Sequence, residues 1–192
     1  MIEGDGYALL QGGCFEVLRD YPDASFASVV CDPPQGIETL PAPAVWAEIF
    51  RVAEPGAFLL ALSHPRTWHR LACAIEDAGW IYFDTLARIV NHKTQTRRRL
   101  QQGWQPIALF CKGLGELPGK VIGVTTTMGS FSLGDLVRLV TPKGGCLLDP
   151  FMGVGDIGVA ALEAGFGFVG IDLDSLKVGR VQERLATVGP KD

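Results

Sequence analysis

Along this chain, short and almost uninterrupted apolar runs alternate with segments whose apolar residues recur every three or four positions. "ASVVC" (27–31), "AFLLAL" (57–62), "WIYFDTL" (80–86), "PIALFC" (106–111), "GCLLD" (145–149) and "FGFVGID" (166–172) are bounded by Gly or Pro and predict strands. Helical spacing marks 42–53, 66–79 and 156–165, and a closing helix is predicted over 173–186. Continuous apolar strands alternating with helices predict an α/β fold with a doubly wound, mostly parallel sheet covered on both faces. Ligands of such sheets sit beyond the carboxyl ends of the strands. Segment 113–131 has no such period and is predicted to be a long surface connection. The whole of 1–192 is expected to form one domain, with halves at 1–112 and 132–192.

Composition narrows the class. With 47% apolar and 20% charged residues the chain reads as globular, and no apolar run is long enough to span a membrane. The acidic start "MIEGDGYALL" is unlike a signal peptide. Five scattered cysteines without a C-x-x-C spacing point to a reducing cytoplasm, with Cys31, Cys111 and Cys146 as buried thiols. His64, His69 and His92 lack ligand spacing, so no metal site is expected. Trp46 and Trp68 lie at core positions of the predicted helices.

A net charge of −4 argues against wholesale polyanion binding. Yet no acid occurs from Thr85 to Gly115, where Arg88, Lys93, Arg97, Arg98, Arg99 and Lys112 give +6. Within "NHKTQTRRRLQQGW", Lys93, Arg97, Arg98 and Arg99 suit phosphate positioning; the rival reading is a solvated loop.

The segment 146–174, "CLLDPFMGVGDIGVAALEAGFGFVGIDLD", carries the strongest signal. A strand ends at Asp149, a loop containing Phe151, Gly153 and Gly155 follows, and a helix opens near Asp156. Glycines let backbone N–H groups approach a ligand. Asp172, ending the next strand, can accept both hydroxyls of a ribose. No Gly-Lys-Ser/Thr is present, and Asp149 and Asp156 would repel a pyrophosphate. Carboxylates here suit a nucleoside cofactor with a cationic end, such as S-adenosyl-L-methionine.

These residues resemble the cofactor loop of the amino-group DNA methyltransferases, typically D-P-F-x-G-S-G-T, and "VVCDPPQG" (29–36) resembles their D-P-P-aromatic signature. The D-P-P comes first and the cofactor loop last, similar to the circularly permuted beta group, and the resemblance covers nearly the whole chain. It implies the Rossmann-like fold of S-adenosylmethionine-dependent methyltransferases and methyl transfer to an exocyclic amine in DNA, adenine N6 before cytosine N4. The Asp32 carboxylate and the Pro33 carbonyl would accept the two amine N–H bonds, with Pro33 and Pro34 stiffening the turn. Thr126 falls near a family threonine of the cofactor site.

Departures are concentrated at the site. Gln35 replaces the aromatic that stacks on a flipped base, a contact worth about 1–3 kcal/mol. Val154 and Asp156 replace Ser and Thr, Gly13 stands where an acid is common, and Met128–Gly129 replace Lys-Pro. The connection after residue 111 is too short for the usual target-recognition domain. Specificity would then be low, come from a second subunit or a partner, or arise from the basic strip. The resemblance leaves open an RNA or nucleotide substrate, or a catalytically silent interaction protein.

Overall fold

The computed structural model describes residues 1–36, 38–90, 103–118 and 128–188. Among them are nine strands in one sheet: β1 (Ile2–Gly4), β2 (Tyr7–Gln11), β3 (Phe26–Cys31), β4 (Ala53–Leu62), β5 (Ile81–Ile89), β6 (Trp104–Cys111), β7 (Met128–Gly129), β8 (Cys146–Asp149) and β9 (Gly167–Asp172). The order across the sheet is β1-β2-β9-β8-β3-β4-β6-β5-β7. The five strands from β2 to β4 run parallel, and β6 is antiparallel to both β4 and β5. This is the doubly wound, mostly parallel sheet that the sequence predicts.

Alternate side chains of the central strands feed two cores. Val30, Leu60, Leu147 and Phe168 pack on one face against α4 (Leu133–Val140), α5 (Asp156–Glu163) and α6 (Ser175–Leu185). Val29, Cys31, Leu59 and Leu148 pack on the other against α1 (Cys14–Leu18), α2 (Pro43–Val52) and α3 (Trp68–Glu76). Trp46 is wholly buried in the second core and Trp68 packs at its margin. Cys31 and Cys111 are buried as expected, whereas Cys146 is only half-buried at the start of β8.

The β1–β2 hairpin, α1 and α4 are elements that the sequence pattern did not predict. Segment 113–131 likewise ends in β7, which pairs with Ala87 and Arg88 of β5. Helix α4 is announced by a capping box, because Ser132 Oγ accepts from Asp135 N at 3.1 Å and Asp135 Oδ2 accepts from Ser132 N at 2.9 Å. Strand β6 begins two residues before Pro106, whose carbonyl accepts from both the backbone N–H and the hydroxyl of Ser63 at 2.9 Å. The residues around this proline thus keep a strand geometry that its missing N–H would argue against.

Lys112 departs from the expected basic strip. Its Nζ donates to the carbonyls of Phe50 at 2.6 Å and Ala53 at 2.8 Å and lies 4.6 Å over the Phe50 ring. It satisfies the carboxyl end of α2 rather than offering a free cation to phosphate. No helix among the described residues is long and apolar enough to cross a membrane.

Candidate active site

Three acids end three neighbouring strands. Asp149 closes β8, Asp172 closes β9, and Asp32 follows β3 directly, all at the carboxyl edge of the parallel set. The chain leaves β8 toward β9 on one side, while β3 leads to β4 on the other. The edge between β8 and β3 is therefore the topological switch point where doubly wound sheets hold their ligands.

The glycine loop is fixed from below by Asp172. Its Oδ2 accepts from Gly153 N at 2.9 Å and its Oδ1 from Asp174 N at 2.9 Å, with Lys177 Nζ 3.9 Å away. Gly155 caps α5 in the left-handed region at φ 81°, and a Cβ there would lie 2.6 Å from Val181 Cγ1. Both its backbone conformation and the close approach of α6 require glycine. Phe151 turns onto Trp46 in an edge-on contact with centroids 5.8 Å apart, which anchors the loop to the second core.

Asp149 is the most constrained of the acids. It is 1% exposed, its Oδ1 accepts from Phe151 N at 3.1 Å, and its Oδ2 has no partner among the described residues. Burial, reinforced by the nearby charges of Asp32 and Asp172, pushes its carboxyl up to about 8. A ligand cation that displaces the carboxyl proton would satisfy the unpartnered oxygen, so the residues present fit an ammonium group. Asp149 therefore binds a proton in the folded protein at pH values where the unfolded chain has lost it. Stability is expected to fall as pH rises from about 4 toward 8, by up to about 1.4 kcal/mol per pH unit from this group. Asp149→Asn should flatten that part of a denaturation-versus-pH curve, and an unaltered slope would refute the assignment.

Asp32 sits at the mouth of the same edge. Solvent reaches its side chain, yet the surrounding protein desolvates the carboxyl and raises it above the usual carboxylate value, while the Gln35 amide and the Arg88 charge pull it back. Gln35 Nε2 donates to Asp32 Oδ1. Two cavities meet at Asp32, Phe151 and Gly153. One, of 580 Å³, extends past Gly12, Pro34 and Asp172 to Lys177. The other, of 300 Å³, runs under Asp149 to Arg88, Gln105 and Val154.

The structure thus brings together Asp32, Pro33, Pro34, Gln35, Asp149, Phe151, Gly153 and Asp172. Asp156 lines the smaller cavity from the first turn of α5, but its carboxylate is paired with Arg184 at 2.6 Å. Arg184 also donates to the Val154 carbonyl at 2.9 Å, tying the glycine loop to α6. Thr126, Lys93, Arg97, Arg98 and Arg99 lie outside the described residues. The sequence reading missed Gly12 and Cys14, which line the larger cavity, and placed Arg88 in a basic strip rather than beside Asp32. Burial pushes the Cys14 thiol up to about 11, so it stays protonated near neutral pH. Only the run of small residues "QGGC" hinted at a turn at that strand end.

Together, sheet order, glycine loop and strand-end acids define the Rossmann-like fold of the S-adenosylmethionine-dependent methyltransferases. Residues 123–178 match the family model N6_N4_Mtase, described as DNA methylase. Within the class, the chain resembles the beta-group amino-group DNA methyltransferases. YubD of Escherichia coli (strain K12), which carries a methylase name, is 27% identical over 208 residues, covering 93% of this chain and 90% of YubD. TTHA0409 of Thermus thermophilus superposes with a TM-score of 0.81 at 22% identity, covering 97% of both chains. M1.HpyAVI, solved as a complex with S-adenosylmethionine, gives 0.79 at 19% identity, covering 93% of this chain and 98% of its own.

Proposed function

We propose that this protein transfers a methyl group from S-adenosylmethionine to an exocyclic amine of a DNA base, adenine N6 in preference to cytosine N4. The observation that carries this reading is the placement of Asp32 where the two cavities join, with Asp149, whose Oδ2 is unpartnered, lining one and Asp172 lining the other. Asp149 would hold the ammonium and Asp172 the ribose hydroxyls of the cofactor, which when bound supplies an electrophilic methyl. Asp32 and the Pro33 carbonyl would accept the amine N–H bonds, drawing the nitrogen lone pair out of conjugation and stabilising the positive charge that develops on it. The Asp32 hydrogen-bond acceptor is followed by two prolines, so little reorganisation is needed as the N–CH3 bond forms and the S–CH3 bond breaks, after which the cationic nitrogen gives up a proton. The acid form of the D-P-P signature is the basis for preferring adenine.

Lys93, Arg97, Arg98 and Arg99 are proposed as phosphate contacts, with any sequence preference supplied by a second subunit or a partner. The test is transfer from methyl-labelled cofactor to duplex DNA, single-stranded DNA and RNA, followed by nucleoside analysis. Label on N6-methyladenine from DNA is the expected result. Label found only in RNA would replace the substrate, and none in any polymer despite cofactor binding would overturn the reading in favour of an interaction protein.

A further inference from the structure

The residue after the two prolines does more than lack an aromatic ring. Gln35 Nε2 donates to Asp32 Oδ1, so a planar, conjugated NH2 group already occupies one oxygen of the carboxylate proposed to accept the substrate amine. A carboxamide nitrogen and an exocyclic nitrogen of adenine present the same chemistry to that oxygen: sp2 geometry, two donors and no basic lone pair. The backbone under this side chain is held separately, since Thr67 Oγ1 donates to the Gln35 carbonyl at 3.2 Å and two prolines precede it. Gln35 can therefore change rotamer without moving the loop. Gln35 also borders a separate cavity of 480 Å³ lined by Glu38, His64, Arg66 and Thr67. It is large enough to take the carboxamide, and Glu38, His64, Arg66 and Thr67 bring polar side chains to its wall.

We infer that Gln35 is an internal occupant of the amine site, a positioning residue that competes for Oδ1 of the Asp32 acceptor and turns toward the outer cavity when a substrate amine docks there. This rests on the proposed reaction for its kinetic consequence but not for its structural one. A site that is open only part of the time binds its ligand more weakly by that fraction. If the covered form holds about nine-tenths of the molecules, KM for substrate is raised about tenfold while kcat is untouched. The same competition makes Gln35 a selector. An amine that reaches Asp32 with good geometry displaces the carboxamide, and a poorly placed one does not.

Two measurements test this. In 15N-labelled protein, the Gln35 side-chain NH2 resonance should differ from that of an exposed glutamine and return to the exposed position in Asp32→Ala. No change on that substitution overturns the inference whatever the protein catalyses. The second is the initial rate on an adenine-containing single-stranded oligonucleotide for Gln35→Ala and for Gln35→Met, which keeps the length but not the donor. Both should lower KM about tenfold with kcat within about twofold of the parent. A KM that rises in both variants would make Gln35 a substrate contact instead and end the proposal. Absence of transfer in parent and variants alike would count against the proposed reaction, and the resonance measurement alone would then decide the occupancy of Asp32.

Discussion

Asp32→Ala is expected to abolish methyl transfer while leaving cofactor binding in place. The amine nitrogen becomes cationic as it takes the methyl, and among the described residues Asp32 supplies the only charged acceptor where the two cavities meet on the β3 side. Loss of one preorganised electrostatic contact of this kind costs about a hundredfold to a thousandfold in kcat. Asp32→Asn keeps the shape and one acceptor oxygen but not the charge, so it should retain a small residual rate above that of Ala. The pH profile adds a second signature. Desolvation raises the Asp32 carboxyl above its ordinary value, and the proposed reaction needs it ionised. Activity should therefore fall as pH drops through that raised value, and this acid limb should be missing from the residual activity of Asp32→Asn. Full transfer in Asp32→Ala, measured with saturating cofactor, would sink the catalytic assignment. Loss of cofactor binding in the same variant would instead assign Asp32 to the cofactor.

Central features were readable because a single physical cause marked each one. A parallel strand buried on both faces must be apolar throughout, which is why "ASVVC" and "GCLLD" stand out, and the glycine loop betrays itself through Gly153 and Gly155, where any other residue would be strained. Edges were harder to read. Helix α1 spans only Cys14–Leu18 and β7 only Met128–Gly129, too short for any period to develop. Helix α4 follows directly on the irregular connection, and its capping box is the signal that could have found it. At the site, sequence placed the acids correctly on strand ends but could not see what each one touches. Asp156 meets Arg184, 28 residues later, and Lys112 meets the end of α2, far earlier in the chain. Such pairings follow from which helix packs beside which loop, and no local pattern encodes them. Gln35 shows the same limit. Its identity marked it as unusual, but only the turn geometry directs its amide to Asp32.

Asp172→Ala should weaken binding of S-adenosylmethionine by roughly tenfold to a hundredfold, because the proposed binding mode gives the carboxylate two duties at once. Each oxygen accepts from one backbone N–H, and in the proposed mode its remaining lone pair would accept from a ribose hydroxyl. Toward the protein, Oδ2 holds Gly153 N at 2.9 Å and so fixes the loop between β8 and α5. Charge-assisted hydrogen bonds of this kind are worth about 1.5–3 kcal/mol, and every 1.4 kcal/mol is about tenfold in affinity. The two duties separate in a cycle that pairs the mutation with a cofactor analogue lacking both ribose hydroxyls. If Asp172 acts mainly on the ribose, the parent should lose affinity for the analogue while the Ala variant binds analogue and cofactor alike. If it acts mainly through the loop, the variant should lose the same factor for both ligands, and thermal stability should fall with it. Asp172→Asn sharpens the distinction, since its amide oxygen can serve one backbone donor while its NH2 cannot accept from Gly153. Titration calorimetry on the three proteins with both ligands gives the whole cycle. Equal affinity for the cofactor in parent and Ala variant would remove Asp172 from the site, and with it the ribose end of the proposed binding mode.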